Sequence, residues 1–381
     1  MKEEKMSELR KTPLNGMHKE ARLVDYAGWE MPVYYSGILE EHMAVRQMAG
    51  MFDVSHMAKI MVEGPEAIDL LQLCLTNNIA LIAPGRAIYS LMCNPQGGVI
   101  DDLIVYRFSD ESYMVVANAV NEQSVYYWLK GHLPDKGVSL RNLTDNYALI
   151  ALQGPIAAKI LKPLMSEDPA DMKYFDLAFV NLLGRPCVIT RTGYTGEDGF
   201  ELFLHRSEWS IEQIEDLWEH LAAGGAKPCG LGARDNLRIE AGYPLYGHEL
   251  SETINPLQAG MGWAVKFNKG DFIGRAALEC EDRTEPVELL VGFKMLERSV
   301  PRQGYPIFSG EEQVGHVTSG AYSPIRKEDI GMAYVLEPYA SAGIRLEAQV
   351  RQRRLPLEIM PKPFIEIKAG KAENALSPDR L

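Results

Sequence analysis

Residues 97–116 read GGVIDDLIVYRFSDESYMVV. Two apolar runs, 99–108 and 113–116, flank the polar link Ser109-Asp110-Glu111-Ser112, a pattern that predicts an antiparallel hairpin opened by the Gly97-Gly98 turn. A second pairing is predicted between residues 186–191 (PCVITR) and 200–204 (FELFL), joined by the glycine-rich connector TGYTGEDG. Helices belong between these strands. Gly64-Pro65 and Gly154-Pro155 each start one, over 65–75 and 155–165. Residues 207–223 carry apolar side chains at helical spacing up to Gly224-Gly225, and 233–241 forms a further short helix closed by Gly242. Past the polar stretch CEDRTEP (280–286), short strand-like runs recur about every ten residues between glycine and proline turns, as in a small all-β barrel or sandwich. The expected class is therefore α+β, a multi-lobed N-terminal region followed by a small C-terminal β-barrel, with the boundary between 275 and 288. No repeat of fixed period is evident.

Inside the first hairpin lies an oddity, Asp101-Asp102 in an otherwise apolar strand. Side chains alternate along a strand, so Asp102, Ile104 and Tyr106 share one face while Asp101, Leu103, Val105 and Arg107 share the other. A carboxylate on a core-facing side costs several kcal/mol unless it is paired or hydrogen-bonded. The pair is read either as a functional carboxylate or as an exposed pair in which Asp101 answers Arg107. Glu201, between Phe200 and Leu202 directly after the glycine-rich connector, poses the same question. It is either an exposed edge-strand residue or a grip for a ligand edge with two parallel N–H donors, such as the aminopyrimidinone of a pterin. Arg234 and Arg238 lie four apart on one helix face, where they could neutralise an anion or pair with Asp235 or Glu240.

Composition narrows the chemistry. The 381 residues carry a formal net charge of -13, which disfavours nucleic acid and anionic membrane surfaces as partners. The densest basic cluster, Arg351, Arg353 and Arg354, reads as a solvated strand edge. Five scattered cysteines without a C-x-x-C pair suggest neither a zinc site nor a redox pair, and fit reduced, mostly buried thiols. The N-terminal residues mix acids with bases and lack an apolar core, so no secretory or mitochondrial leader is expected and the location is taken as cytoplasmic. Phosphate-loop, H-E-x-x-H and G-x-S-x-G motifs are missing, and Gly230-Leu-Gly232 has Asp235 where a dinucleotide fingerprint needs its third glycine. His56 and His248, beside apolar residues, read as structural histidines. The chemistry is thus expected to rest on carboxylates and a bound small molecule, with no metal.

Longer blocks carry a family resemblance. KTPL (11–14), VDYAGWEMPVYY (24–35), MFDVSHM (51–57), GGVIDDLIVY (97–106), TRTGYTGEDGFE (190–201), KPCGLGARDNLRIEAGYPLYGHEL (227–250) and GDFIGR (270–275) resemble, in wording and order, the glycine-cleavage T-protein family. A weaker likeness continues through VPRQGYP (300–306) and VGHVTSGAYSP (314–324), so that it spans residues 11 to 364. The resemblance implies a tetrahydrofolate-binding aminomethyltransferase region over 11–278, with a middle lobe over about 55–140, and a C-terminal barrel over 286–365. It implies tetrahydrofolate as co-substrate and the lipoylated H-protein as partner. The family's reaction releases ammonia from the aminomethyl group on the lipoyl arm and forms 5,10-methylenetetrahydrofolate. By similarity Asp102 is the critical carboxylate and Glu201 the pterin-gripping one. Tyr106, Tyr89, Asn118, Tyr174 and Arg234 match further positions lining the folate or lipoyl pocket. A folate-dependent demethylase on the same fold is the alternative reading, and a folate-binding accessory protein of iron–sulfur assembly a more distant one, since its K-G-C-Y-x-G-Q loop is missing here. The chain departs from the family's wording at Ala58-Lys59, at residues 323–331 and at 362–370.

Overall fold

A computed structural model describes residues 9–280 and 287–370. Residues 1–8, most of the polar stretch at the expected domain boundary (281–286) and the tail from 371 lie outside the described residues.

Residues 58–228 form the same succession of elements twice. Strand Ala58–Glu63 leads into helix Ala67–Cys74, three antiparallel strands (Arg86–Cys93, Val99–Ser109, Ser112–Ala117), helix Glu122–Gly131 and a last strand Ser139–Asn142. Strand Tyr147–Gln153 then begins the second round, through helix Ala157–Leu161, strands Leu177–Leu182, Arg185–Thr190 and Gly199–His205, helix Ile211–Ala223 and strand Lys227–Pro228. In each sheet the second, third and fourth strands of the unit lie side by side, followed by the first and the last. The second sheet admits one guest strand, Gly50–Asp53, between its first and last. The duplication escaped the sequence reading because the copies share a hydrophobic rhythm rather than residues. One common signature is visible, the Gly-Pro before each first helix. Gly64 and Gly154 take φ of +126° and +131°, and a Cβ would meet Gly137 O at 2.0 Å in one case and Met48 O at 2.5 Å in the other. Only glycine fits.

The two sheets face each other and each carries its helices outside, giving four layers. Leu103, Val105, Tyr113 and Val115 pack outward on Leu70, Leu71, Val125 and Leu129 of the first helix pair. Phe200, Leu202 and Leu204 pack outward on Ile214, Leu217, Trp218 and Leu221, spaced i, i+3, i+4, i+7 on the longest helix. Burying each such side chain contributes roughly 1.5–3 kcal/mol relative to leaving it exposed. The intervening residues, Tyr106, Met114 and Val116 on one sheet and Leu149, Ala151 and Phe203 on the other, meet in the middle. That longest helix starts at Ile211, later than expected, because Ser210 and Gln213 form a capping box, each side chain bonding the other's backbone N–H.

The C-terminal region is a closed six-stranded barrel, in the order Glu288–Met295, Glu328–Leu336, Glu312–Ser323, Pro306–Ser309, Arg345–Val350, Arg353–Met360. Pro306–Ser309 was not anticipated. A register shift between Val317 and Ser319 bends the longest barrel strand, and Ser319 there accepts from Arg238 Nη2 at 2.6 Å. Helix Leu231–Glu240 lies between the barrel and the two-stranded ribbon Arg22–Tyr26/Trp29–Tyr34, holding the parts together. Arg238, 1% exposed, also donates to Asp235 and Glu249 at 2.8 Å each and to Tyr243 O at 3.2 Å. Beyond the barrel, residues 362–370 return to the N-terminal region: Phe364 N donates to Glu240 O at 3.0 Å and Lys368 N to Gly196 O at 2.8 Å. Residues 368–370 open a polar tail in the sequence yet are seated, since Ala369 N also reaches Gly196 O.

Candidate active site

Alternation along Val99–Ser109 settles which aspartate looks where. Asp101 shares the outward face with Leu103 and Val105 and is fully buried. Three N–H donors satisfy it: Asn118 N to Oδ2 at 2.9 Å, and Asn118 Nδ2 and Asn121 Nδ2 to Oδ1 at 2.8 and 2.7 Å. The Asp101–Arg107 pairing considered from the sequence does not form, since Arg107 bonds Ile82 O, Ser109 O and Asp110 instead. Asp102 faces inward, toward the other sheet, where it lines a cavity of about 2100 Å³. Tyr89 Oη donates to Asp102 Oδ2 at 3.1 Å and Asn118 Nδ2 to Oδ1 at 2.8 Å. Asn118 thus ties the two carboxylates together. Burial, and for Asp101 the neighbouring carboxylate, pushes both above the ordinary aspartate range, Asp102 to about 6 against the pull of Tyr89 and Asn118.

Glu201 comes from the second sheet. Its Oε2 accepts from Thr192 Oγ1 at 2.6 Å and from Tyr106 Oη at 3.1 Å. The Tyr106 bond crosses from one sheet to the other, so Asp102 and Tyr106 on one strand and Glu201 on the facing sheet share one wall. Thr190 supports the arrangement from behind, 2.7 Å from Thr192 Oγ1. No hydrogen-bond partner is found for Glu201 Oε1 among the described residues. A carboxylate held by one oxygen and free at the other suits a ligand bearing N–H donors.

All seven residues singled out from the sequence, Tyr89, Asp102, Tyr106, Asn118, Tyr174, Glu201 and Arg234, line this cavity. Arg234 lies with its guanidinium 4.8 Å from the centre of the Tyr194 ring, which in turn stacks on Tyr243 at 5.8 Å. Arg238, its partner in the sequence reading, also borders the cavity but is committed to Asp235, one of the two pairings considered from the sequence, and to Glu249, while Glu240 is taken by Arg46. Burial raises the Tyr89, Tyr106 and Tyr174 hydroxyls well above the ordinary tyrosine range, so all three are neutral hydrogen-bonding groups.

Several lining residues went unread. Trp263 stacks on Tyr89 with ring centres 5.2 Å apart and so braces the hydroxyl that reaches Asp102. Its signal was available, a tryptophan in the glycine-flanked segment GMGWAV, which is neither strand-like nor helical. Tyr194 and the returning residues Ile367, Ala369 and Gly370 complete the wall, together with His56 and His248, which the sequence reading took as structural histidines.

Known proteins resemble the chain along nearly its whole length. The family model described as the GCVT N-terminal domain matches residues 16–269, and the glycine cleavage T-protein C-terminal barrel domain matches 289–366. An aminomethyltransferase of Desulforamulus reducens is 45% identical over 365 residues, covering 94% of this chain and 99% of the relative. One from Symbiobacterium thermophilum is 46% identical over 369 residues, with 93% and 97% covered. The crystal structure of glycine cleavage system aminomethyltransferase T from Bartonella henselae superposes with a TM-score of 0.88 at 33% identity, covering 95% of this chain and all of that one.

Proposed function

The chain belongs to the glycine cleavage T-protein family of aminomethyltransferases, and we propose that it moves the methylene of an aminomethyl group on the lipoyl arm of H-protein to N5 and N10 of tetrahydrofolate, the C–N bond breaking to release ammonia and the C–S bond breaking to leave the arm as the dihydrolipoyl thiol. The observation that carries this reading is the meeting of Asp102 and Glu201 in one cavity, from two facing sheets and joined through the Tyr106 hydroxyl. The residues fit a folate. Glu201 offers a free carboxylate oxygen to the aminopyrimidinone N–H groups, aromatic rings line the walls, and the volume exceeds the 300–1,000 Å³ or so of ordinary small-molecule pockets. The excess leaves room for a second reactant, which a two-substrate transfer requires.

Tetrahydrofolate supplies the N5 and N10 nucleophiles. Asp102 acts on the charge: positive charge grows at the methylene carbon as the amine leaves, and a carboxylate fixed by Tyr89 and Asn118 stabilises it without reorganising. Glu201 sets the orientation of the pterin, and burial of the surrounding tyrosines keeps water from competing. Ammonia release from aminomethyl-loaded H-protein, with and without tetrahydrofolate, tests the assignment. Folate-stimulated ammonia together with methylenetetrahydrofolate supports it, whereas tight folate binding without turnover would sink it and favour a methyl donor.

Glu201→Gln keeps the shape but loses the charge, and is expected to weaken folate binding about 10- to 100-fold, the range for one or two charge-assisted hydrogen bonds. Equilibrium titration with a stable reduced folate reads this directly, and an unchanged affinity contradicts the assignment. A pH profile supplies another check. The raised Asp102 pKa means that it holds a proton where an ordinary aspartate is ionised, so activity is expected to fall as pH drops through about 6. Tyr89→Phe removes a donor to the carboxylate and should move that limb to higher pH. A profile flat from about pH 5 to 8 in both proteins rules this role out.

A further inference from the structure

His56 has no part in the reading above. It lines the cavity and is 2% exposed; its Nδ1 is shut off from solvent without a hydrogen-bond partner, and no partner is found among the described residues for Nε2, the nitrogen left to meet a ligand. A buried polar atom without a partner costs free energy, and folded proteins keep few of them. Burial drives the ring well below the ordinary histidine range, to about 3, so the imidazole is neutral and acts as a directional hydrogen-bonding group. Tyr26 packs edge-on against it, with ring centres 5.5 Å apart.

The turn that presents His56 is held by two buried charges of opposite sign. On one side Asp53 accepts from Ser55 N at 2.9 Å and Ser55 Oγ at 2.6 Å, and is itself fixed by Thr12 and His18. On the other, Lys59 Nζ donates to Ser55 O and Met57 O, both at 2.7 Å. Lys59 is fully buried and has no carboxylate within ion-pair distance among the described residues. Its ammonium is committed to the two carbonyls that bracket His56, and burial lowers its pKa to about 7. Asp53, Glu122, Asp145 and Arg10 are the other charges that bear on it.

Arg234 is the cation of the cavity whose charge reaches His56. Of the two groups that would enter the cavity, the aminomethyl-lipoyl arm and the folate, only the folate carries carboxylates, on its glutamate tail, so a cation beside a neutral imidazole suits that end of the molecule. We propose that His56 hydrogen-bonds the benzoylglutamate tail of tetrahydrofolate beside Arg234, and that Lys59 is the positioning residue that fixes His56 there. This rests on the folate reading above.

Two probes separate the possibilities: 5-formyltetrahydrofolate, which has the tail, and 6-methyltetrahydropterin, which lacks it. His56→Phe and Lys59→Met are expected to weaken binding of the first about tenfold and of the second less than about twofold, whereas His56→Gln, which keeps a hydrogen-bonding end, stays within about twofold on both. Unfolding midpoints measured alongside show that the variants are folded at the assay temperature. Equal losses on both probes, or no loss on either, would overturn the proposal. If the native protein binds neither probe, or Glu201→Gln does not weaken both, the folate reading itself fails and this inference with it.

Discussion

Asp102→Asn is expected to lower folate-stimulated ammonia release by roughly 10²–10³, the loss typical of removing one preorganised charge stabiliser. Asparagine is nearly isosteric, and its carbonyl oxygen can still accept from Tyr89, although its amide N–H2 then meets the Asn118 amide donor, so the shape of the wall is kept while the charge and one hydrogen bond are not. Binding of a reduced folate, proposed to be anchored at Glu201, is expected to stay within a few-fold of native. A loss of the same size in rate and in affinity points to damaged binding. A loss below about tenfold in rate removes Asp102 from the chemistry. Asp101→Asn gives a contrasting result. Its carboxylate accepts three N–H donors on the outer face of the sheet, so the effect should fall on stability.

The second large effect is structural. Arg238→Met leaves Glu249, fully buried, without its cation. Breaking a buried pair by removing one partner costs about 3–5 kcal/mol, because the remaining charge stays desolvated. Arg238 holds Glu249 below the ordinary glutamate range in spite of burial. A folded pKa below the unfolded one contributes stability above the unfolded value, and that contribution is lost as pH falls through the folded one. The native protein should therefore lose this contribution only in acid, whereas the variant lacks it at neutral pH. Urea unfolding followed by tryptophan fluorescence measures the difference. Adding Glu249→Leu to Arg238→Met should recover most of the loss. If the double variant is no better than the single, packing at the barrel contact, where Arg238 meets Ser319, is what was lost.

Strand alternation made much of this legible. The sequence put Asp102, Ile104 and Tyr106 on one face, and they are. It also anticipated both strand pairings and a barrel. What it could not give was the second side of each sheet. Strands buried on both faces lose the polar alternation that would announce which face meets what, and the duplication is hidden for the same reason. Of the two readings of Glu201, the edge-strand one arose because its strand is flanked by a polar connector, whereas Gly199–His205 pairs on both sides, with Arg185–Thr190 and Tyr147–Gln153. Lys59 stood out only as a departure from the family's wording, since nothing local shows that two backbone carbonyls will receive its amine. Residues 362–370 gave no sign of their course because backbone N–H groups bond Glu240 O and Gly196 O, contacts that leave no mark in side-chain chemistry.

Because the two copies of the repeated unit contribute one carboxylate each, a molecule held by both acts as a strut between them. Anything bound to the folded form alone stabilises it by RT ln(1 + [L]/Kd), about 2.7 kcal/mol at a hundredfold excess over Kd. Here that energy falls on the contact between the halves, where Tyr106 and Glu201 already touch. Substrate level and resistance to proteolysis are thereby linked. On the folate reading proposed above, a cell short of reduced folate would hold this enzyme in a more easily digested form, and its abundance would follow its substrate.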